Sequence, residues 1–166
     1  KRIHNIIRSV FLILFVLCFA LVSTNAQDST KTLKIMCYNI HHGEGIDGVV
    51  DIDRIAQLIL EHKVDLVALQ EVDVGVARTN RIDIMKILSE LTGMYPVFEK
   101  NIIYQGGEYG NGILSRYPVT KSKNHHYNML REGEQRGLLK TVIDVDGTNI
   151  TFMNTHIDYR EDDTER

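Results

Sequence analysis

Cysteine is almost absent from this sequence: its 166 residues hold two, Cys18 and Cys37. Cys18 lies in an apolar N-terminal run that reads as a cleaved leader, so the remaining chain has a single thiol. That excludes an internal disulfide framework and any zinc site built from clustered thiolates. Cys37 itself sits in an apolar stretch and reads as a small buried hydrophobe. Proline is equally scarce, and Pro96 and Pro118 mark no linker. Internal repeats and low-complexity segments are missing too, so the chain reads as one domain's worth of sequence. Positive charge is also short. Without Lys1, Arg2 and Arg8, 16 of the 19 basic residues face 22 acidic ones, leaving a net charge of about −6. Non-specific binding to duplex nucleic acid rests on basic charge. A phosphate-bearing substrate would therefore need a local cation.

Long hydrophobic runs are limited to one. Lys1, Arg2, His4 and Arg8 precede an unbroken apolar stretch from Val10 to Val22, and Thr24-Asn25-Ala26 follows as a small-residue cleavage site. These are the parts of a secretory signal peptide in their usual order. The stretch is shorter than the roughly 20 residues a membrane-spanning helix needs. Phe15-Val16-Leu17 lacks the small residues that a lipoprotein signal places before its cysteine. The expectation is a signal peptide over 1–26, a domain over 27–166, a secreted or periplasmic location and no stable membrane span after cleavage.

What is present is patterned. Leu33 to Tyr38 reads as a strand ending at Asn39, and Gly43, Gly45 and Gly48 make the next segment a loop. Ile52, Ile55, Ala56, Ile59 and Leu60 fall at helical spacing behind a cap at Asp51 or Asp53. Asp65-Leu66-Val67-Ala68-Leu69-Gln70-Glu71 is a short apolar run ending on an amide and a carboxylate, as a buried strand would. Strand, helix and strand make a βαβ-type unit that brings Asn39 and Glu71 close together. A second helix is predicted from about Ile82 to Leu91, with Asn80 as its cap and Gly93 as its stop. Strands follow over Pro96 to Tyr104, Gly112 to Leu114 and Lys123 to Leu130. Leu138 to Val145 and Asn149 to Asn154 flank Asp146-Gly147, a hairpin signal. His156 stands just beyond the last strand.

Five segments in order carry a resemblance. They are Lys34 to Gly43, Asp65 to Asp73, Gly110 to Pro118, Arg136 to Leu139, and Asn154-Thr155-His156-Ile157-Asp158. Together they resemble the endonuclease/exonuclease/phosphatase superfamily of metal-dependent phosphoesterases, the DNase-I-like fold. The resemblance implies an α/β fold, a four-layer α/β sandwich of which this chain is the N-terminal portion. It implies hydrolysis of phosphate esters, phosphodiesters first among them, with Mg²⁺ or Mn²⁺. Glu71 matches the carboxylate that holds the ion, a hard oxygen ligand suited to Mg²⁺. Asn39 matches the amide beside it, as metal ligand or orienting group, and His156 the histidine that hydrogen-bonds the phosphate or leaving group. Arg136 and Asn111 match positions near the phosphate.

The family's later segments, Gly-Asp-Phe-Asn and Ser-Asp-His, do not occur between His156 and Arg166. The resemblance therefore implies the first part of a longer enzyme, inactive and poorly folded when made alone. The pairs His41-His42 and His125-His126 lack the four-residue helical spacing of a shared zinc site, although His41 or His42 could line the cleft. The substrate stays open among nucleic acid, phospholipid and sugar phosphate. The acidic composition favours a small or lipid-borne phosphodiester over bulk DNA. The alternative is a secreted binding module with the same fold and no catalysis.

Overall fold

The computed structural model describes residues 30–130 and 132–157. The expected signal peptide over 1–26 and the stretch from Asp158 onward lie outside them. The chain divides into two units, 1–32 and 33–166, and the fold lies in the second. Among the described residues seven strands form two sheets. The first sheet contains β1 (Ile35–Asn39), β2 (Leu66–Val74), β3 (Tyr95–Tyr104) and β4 (Gly107–Ser115), ordered β1-β2-β4-β3. The second contains β5 (Val119–His126), β6 (Gly137–Val145) and β7 (Thr148–Thr155) in sequence order. β1 and β2 run parallel and every other pairing is antiparallel. The expected βαβ unit is therefore present.

Two helices cover one face of the first sheet. α1 (Ile52–Glu61) is capped by Asp51, whose carboxylate accepts from Arg54 N at 3.2 Å. α2 (Ile84–Thr92) is capped by Asp83, which accepts from Lys86 N at 2.9 Å, and stops at Gly93 in the left-handed region. The predicted cap at Asn80 is displaced by three residues. Asn80 instead ends a short turn at φ 54°, a conformation that asparagine tolerates better than most residues. Ile52, Ile55, Ala56, Ile59, Ile84, Met85 and Leu88 pack on Val67, Leu69, Val72 and Leu114. Leu60, placed on the apolar face from its spacing, is exposed instead.

The opposite face of the first sheet meets the second sheet through a smaller core of Leu66, Ile143 and Val145, with Val119, Ile150 and Phe152 against it. Helices, sheet and sheet make three layers of the sandwich. The outer side of β5 and β6 carries no helix among the described residues. It presents a groove of about 490 Å³ lined by Lys121, Lys123, His125 and Lys140.

Two tight hairpins set the strand registers. Asp146-Gly147, with φ 51° and 88°, joins β6 to β7 as predicted, and Gln105-Gly106, with φ 45° and 78°, joins β3 to β4. Paired positive φ values define the turn whose twist matches antiparallel strands. β5 starts four residues earlier than the sequence suggests, because its pairing begins at Val119 with Ile143.

Cys37 departs from expectation: it is exposed. β1 is an edge strand, and Met36 and Tyr38 take its helix-facing side. Ile35, Cys37 and Asn39 therefore point the other way, where the second sheet lies over the inner strands and leaves β1 uncovered among the described residues.

Candidate active site

The site is built around an irregularity in β2. Leu69 pairs with Gly112 and Val72 with Gly110, so Gln70 and Glu71 together face the single residue Asn111. This is a β-bulge, which bends a strand and re-aims its side chains. Val67 and Leu69 face the helices, and strict alternation would send Glu71 into that same apolar core. The extra residue restores the phase, so that Val72 packs under the helices while Glu71, at φ 60°, turns out to the rim. A non-glycine residue in this region carries strain of about 1–3 kcal/mol and tends to mark functional positions. β2 accordingly continues past Glu71 to Val74 instead of ending there.

Three of the predicted site residues converge. Asn39 Nδ2 donates to Glu71 Oε1 at 2.7 Å, and His156 Nε2 lies 3.6 Å from the same oxygen. Asn39 is itself held, because its Oδ1 accepts from His41 N at 3.0 Å. Asn111 and Arg136 have other partners. Asn111 is buried and its Nδ2 donates to Gly137 O at 3.2 Å, tying β4 to β6. Arg136 is buried beside Glu134, with which it forms an ion pair.

Residues absent from the sequence-based set complete the surroundings. His41 and His42, at φ 44° and 45°, form a left-handed turn with Gly43 after β1. A Cβ on Gly43 would fall 2.5 Å from Ile52 Cδ1, so glycine is required where the turn crosses α1. One ring nitrogen of each histidine and a Glu71 oxygen lie within 4.8 Å of one another. Helical spacing was the wrong test for this pair, because a left-handed turn after a strand also brings adjacent histidines to one carboxylate.

His42 is buried, and its Nε2 lies 3.2 Å from Glu44 Oε2. Its Nδ1 is buried without a hydrogen-bond partner. Burial first, then the nearby Arg78 charge, push the His42 pKa below its usual value, with Glu44 opposing. The ring is thus kept neutral, the form in which imidazole binds a metal. A carboxylate, an amide and imidazole nitrogens suit a divalent cation, and the orphaned Nδ1 is an atom a cation would satisfy.

Arg78 holds the fully buried Asp73 in a two-pronged pair, Nε to Oδ2 at 2.8 Å and Nη2 to Oδ1 at 2.9 Å. Its guanidinium lies 4.8 Å from the ring centre of Tyr104 and 5.4 Å from that of Tyr109. These three residues, with Ile102 and Glu134, line a cavity of about 170 Å³. Burial, reinforced by the Glu134 and Glu71 carboxylates, pushes the Tyr109 phenol well above its usual range. Spacing alone gave no sign of this cluster, whose members come from the β2–α2 connection and from two strands.

Gln70, next to Glu71 in the bulge, points between the sheets and donates from Nε2 to Asn154 Oδ1 at 2.6 Å. Asn154 Nδ2 donates in turn to Leu69 O at 2.7 Å and Gly112 O at 2.8 Å. This buried bracket fastens β7 onto β2 and β4, two residues before His156, and so sets where His156 meets Glu71.

A two-sheet sandwich with a carboxylate, an amide and a histidine gathered at one rim is the arrangement of a DNase-I-like protein. The chain belongs to the Endonuclease/Exonuclease/phosphatase family, whose model matches residues 36–151. It is 25% identical over 146 residues to the uncharacterized protein YbhP of Escherichia coli, covering 81% of this chain and 57% of that protein. It thus spans little more than half the length of the curated relatives it matches. Among solved structures it resembles an endonuclease/exonuclease/phosphatase from Beutenbergia cavernae, with a TM-score of 0.61 and 25% identity over 75% of this chain and 38% of that one. A family protein from Leptotrichia buccalis superposes with a TM-score of 0.63 at 20% identity, covering 81% and 58%. That second likeness bears on the fold alone.

Proposed function

We propose that this chain supplies Glu71, Asn39 and His156 to the active site of a divalent-metal-dependent phosphoesterase, acting on phosphodiesters. The observation that carries the reading is the bulge at Glu71, which delivers a carboxylate to the rim where Asn39 and His156 meet one of its oxygens. Family membership supports hydrolysis of a phosphate ester in general terms.

In this reading Glu71 and Asn39 hold Mg²⁺ or Mn²⁺, and the bound ion supplies Lewis-acid polarisation of a phosphoryl oxygen. Asn39 does two jobs. It fixes the carboxylate through Nδ2 and fastens the His41 turn through Oδ1, so the two loops that border the site move as one. His156 presents Nε2 at the rim, where a hydrogen bond to a phosphate oxygen or to the leaving oxygen lies within its reach. Nε2 can donate that bond whenever it carries a proton. The acidic composition speaks for a small or lipid-borne phosphodiester, since net negative charge repels bulk nucleic acid. A signal peptide over 1–26 would place the enzyme outside the cytoplasm, and the N-terminal residue of the exported protein, expected at Gln27, checks that.

The deciding substitution is Glu71→Gln in the full-length protein, which keeps the side chain's shape and removes its charge. With bis-p-nitrophenyl phosphate as probe, kcat/KM should fall by about 10³-fold and recover in part at high Mg²⁺. Wild-type turnover by Glu71→Gln at low Mg²⁺ would remove Glu71 from the role. Absence of turnover by the wild-type protein, on this probe and on a panel of phospholipids, sugar phosphates and oligonucleotides, would favour the binding module.

A further inference from the structure

We propose that His41 and His42 join Glu71 as ligands of the same cation, making the seat one for a first-row transition ion such as Zn²⁺ or Mn²⁺ in preference to Mg²⁺, with Glu44 holding His42 in place. The inference rests on the reading of Glu71 as a metal carboxylate and adds to it the nitrogen ligands and the class of ion.

Three observations carry it. One nitrogen from each ring and a Glu71 oxygen already gather within 4.8 Å. Ligands placed about 2.0–2.2 Å from a zinc-sized ion lie roughly 3–4 Å apart, so modest side-chain movement closes the set. Second, the nitrogens are differentiated. His42 Nε2 faces the Glu44 carboxylate at 3.2 Å, whereas Nδ1 is buried with no partner. A histidine that gives one N–H to a carboxylate and keeps the other nitrogen bare is the usual arrangement of a metal ligand and its supporting acid. A histidine serving only to fill the core would be expected to satisfy both nitrogens. His41 shows the same division more loosely, with Nδ1 3.4 Å from Glu44 O. Glu44 thus serves both rings, by carboxylate and by carbonyl.

Third, the donor types discriminate between ions. Mg²⁺ takes oxygen ligands and keeps its waters, whereas imidazole suits the later first-row ions. Two imidazoles and one carboxylate leave open positions, which a phosphate oxygen and water can share. The turn also holds the histidines close: His41 N is bonded to Asn39 Oδ1, and Asn39 Nδ2 to Glu71. The nitrogen ligands and the carboxylate are therefore hung from one amide side chain.

The test uses the full-length protein stripped of metal and titrated calorimetrically with Zn²⁺ and, separately, Mg²⁺. Nitrogen hyperfine coupling to bound Mn²⁺, read by pulsed electron paramagnetic resonance, reports imidazole ligation directly. Wild type should bind Zn²⁺ at least about 100-fold more tightly than Mg²⁺, with nitrogen coupling present. His41→Ala, at an exposed residue, should weaken Zn²⁺ by about 10-fold or more, leave Mg²⁺ within about 3-fold and reduce the coupling. Glu44→Gln should weaken Zn²⁺ by about 10-fold, the usual scale for a supporting acid. His42→Ala should behave like His41→Ala, and circular dichroism identifies any loss through misfolding.

Equal Zn²⁺ and Mg²⁺ affinities in wild type, with no nitrogen coupling and with Glu71→Gln abolishing both, would overturn the imidazole proposal while leaving the Glu71 reading intact. Undiminished binding of both ions by Glu71→Gln would overturn both. Unchanged Zn²⁺ affinity in folded His41→Ala and His42→Ala together would also refute the proposal.

Discussion

Asn154 offers the sharpest test of how the two sheets are held in register. It is buried, and one side chain satisfies three groups: Leu69 O at 2.7 Å, Gly112 O at 2.8 Å and Gln70 Nε2 at 2.6 Å. Asn154→Ala strips all three at once. A buried polar group left unsatisfied costs about 1–3 kcal/mol. Gln70 Nε2 keeps only long contacts, to Ala68 O at 3.4 Å and Cys37 Sγ at 3.5 Å, so little relief is at hand. The expected loss is about 3–5 kcal/mol, a large share of the ~5–15 kcal/mol that a folded protein typically has. With a urea dependence of about 2 kcal/mol per molar, the unfolding midpoint should drop by roughly 2 M. Asn154→Asp keeps the shape and the acceptor for Gln70 but has no donor for the two carbonyls, so it should be at least as damaging. Thr151→Ala, on the exposed side of the same strand, should stay within about 0.5 kcal/mol. If Asn154→Ala unfolds within about 0.5 M of wild type, the bracket is not what joins the sheets.

Other consequences can be read from individual atoms. A Cβ on Gly110 would lie 2.1 Å from Glu99 O and 2.8 Å from Lys100 Cα; Gly110→Ala should therefore part β3 from β4 and cost at least about 3 kcal/mol by denaturant melt. Asn111→Ala should cost about 1–2 kcal/mol through its lost bond to Gly137 O, with kcat/KM per folded molecule nearly unchanged; a large catalytic defect in a stable Asn111→Ala would give it a direct part in phosphate binding. Tyr109 should resist ionisation as pH rises past 10, the ordinary phenol value. The unfolded chain then loses its proton first, so this contribution to stability is complete below about pH 10 and declines above it. Near-ultraviolet phenolate absorbance, compared between wild type and Tyr109→Phe, reads the difference.

The sequence carried the elements better than the geometry that makes the site work. Helical spacing from Ile52 to Ile59, the Asp-Gly hairpin and the βαβ order are local patterns, each set by the residues that form it. The bulge was not legible, because Asp65 to Glu71 reads equally well as a regular strand. Only the pairing of Leu69 with Gly112 and Val72 with Gly110 reveals the extra residue. The closeness of His41 and His42 to Glu71 is hidden for a similar reason. Adjacent residues on an ordinary strand point to opposite faces, and nothing in the letters announces two consecutive left-handed residues. Cys37 failed in the opposite direction: an apolar strand suggested burial, but an edge position decides which of its faces is covered. Asn39, Glu71 and His156 converge as the match of their types and order to a family pattern implies, and the same pattern implies places for Asn111 and Arg136 near the phosphate. In the fold, Asn111 and Arg136 are committed to Gly137 and Glu134.

Those commitments explain why the bulge and the sheet packing behave as one device. All three residues at the irregularity are used. Glu71 turns outward to the rim, Gln70 reaches across to Asn154, and Asn111, alone opposite them, donates to Gly137 O. Gly137 O also accepts from Thr155 Oγ1 at 3.0 Å, and Thr155 Oγ1 meets Tyr127 OH at 3.0 Å. A Cβ on Gly137 would meet Asn101 Oδ1 at 2.4 Å and Asn124 Oδ1 at 2.8 Å, so a larger residue there would have to displace both side chains. The residues flanking the bulge thus grip β6 and β7 at two adjacent points, Gly137 and Asn154, immediately before the chain presents His156. The distortion that frees the carboxylate also supplies the contacts that bring the histidine to it. Repairing the bulge by deleting Gln70 should consequently cost more than one hydrogen bond: it would turn Glu71 between the sheets and unfasten the strand that carries its partner.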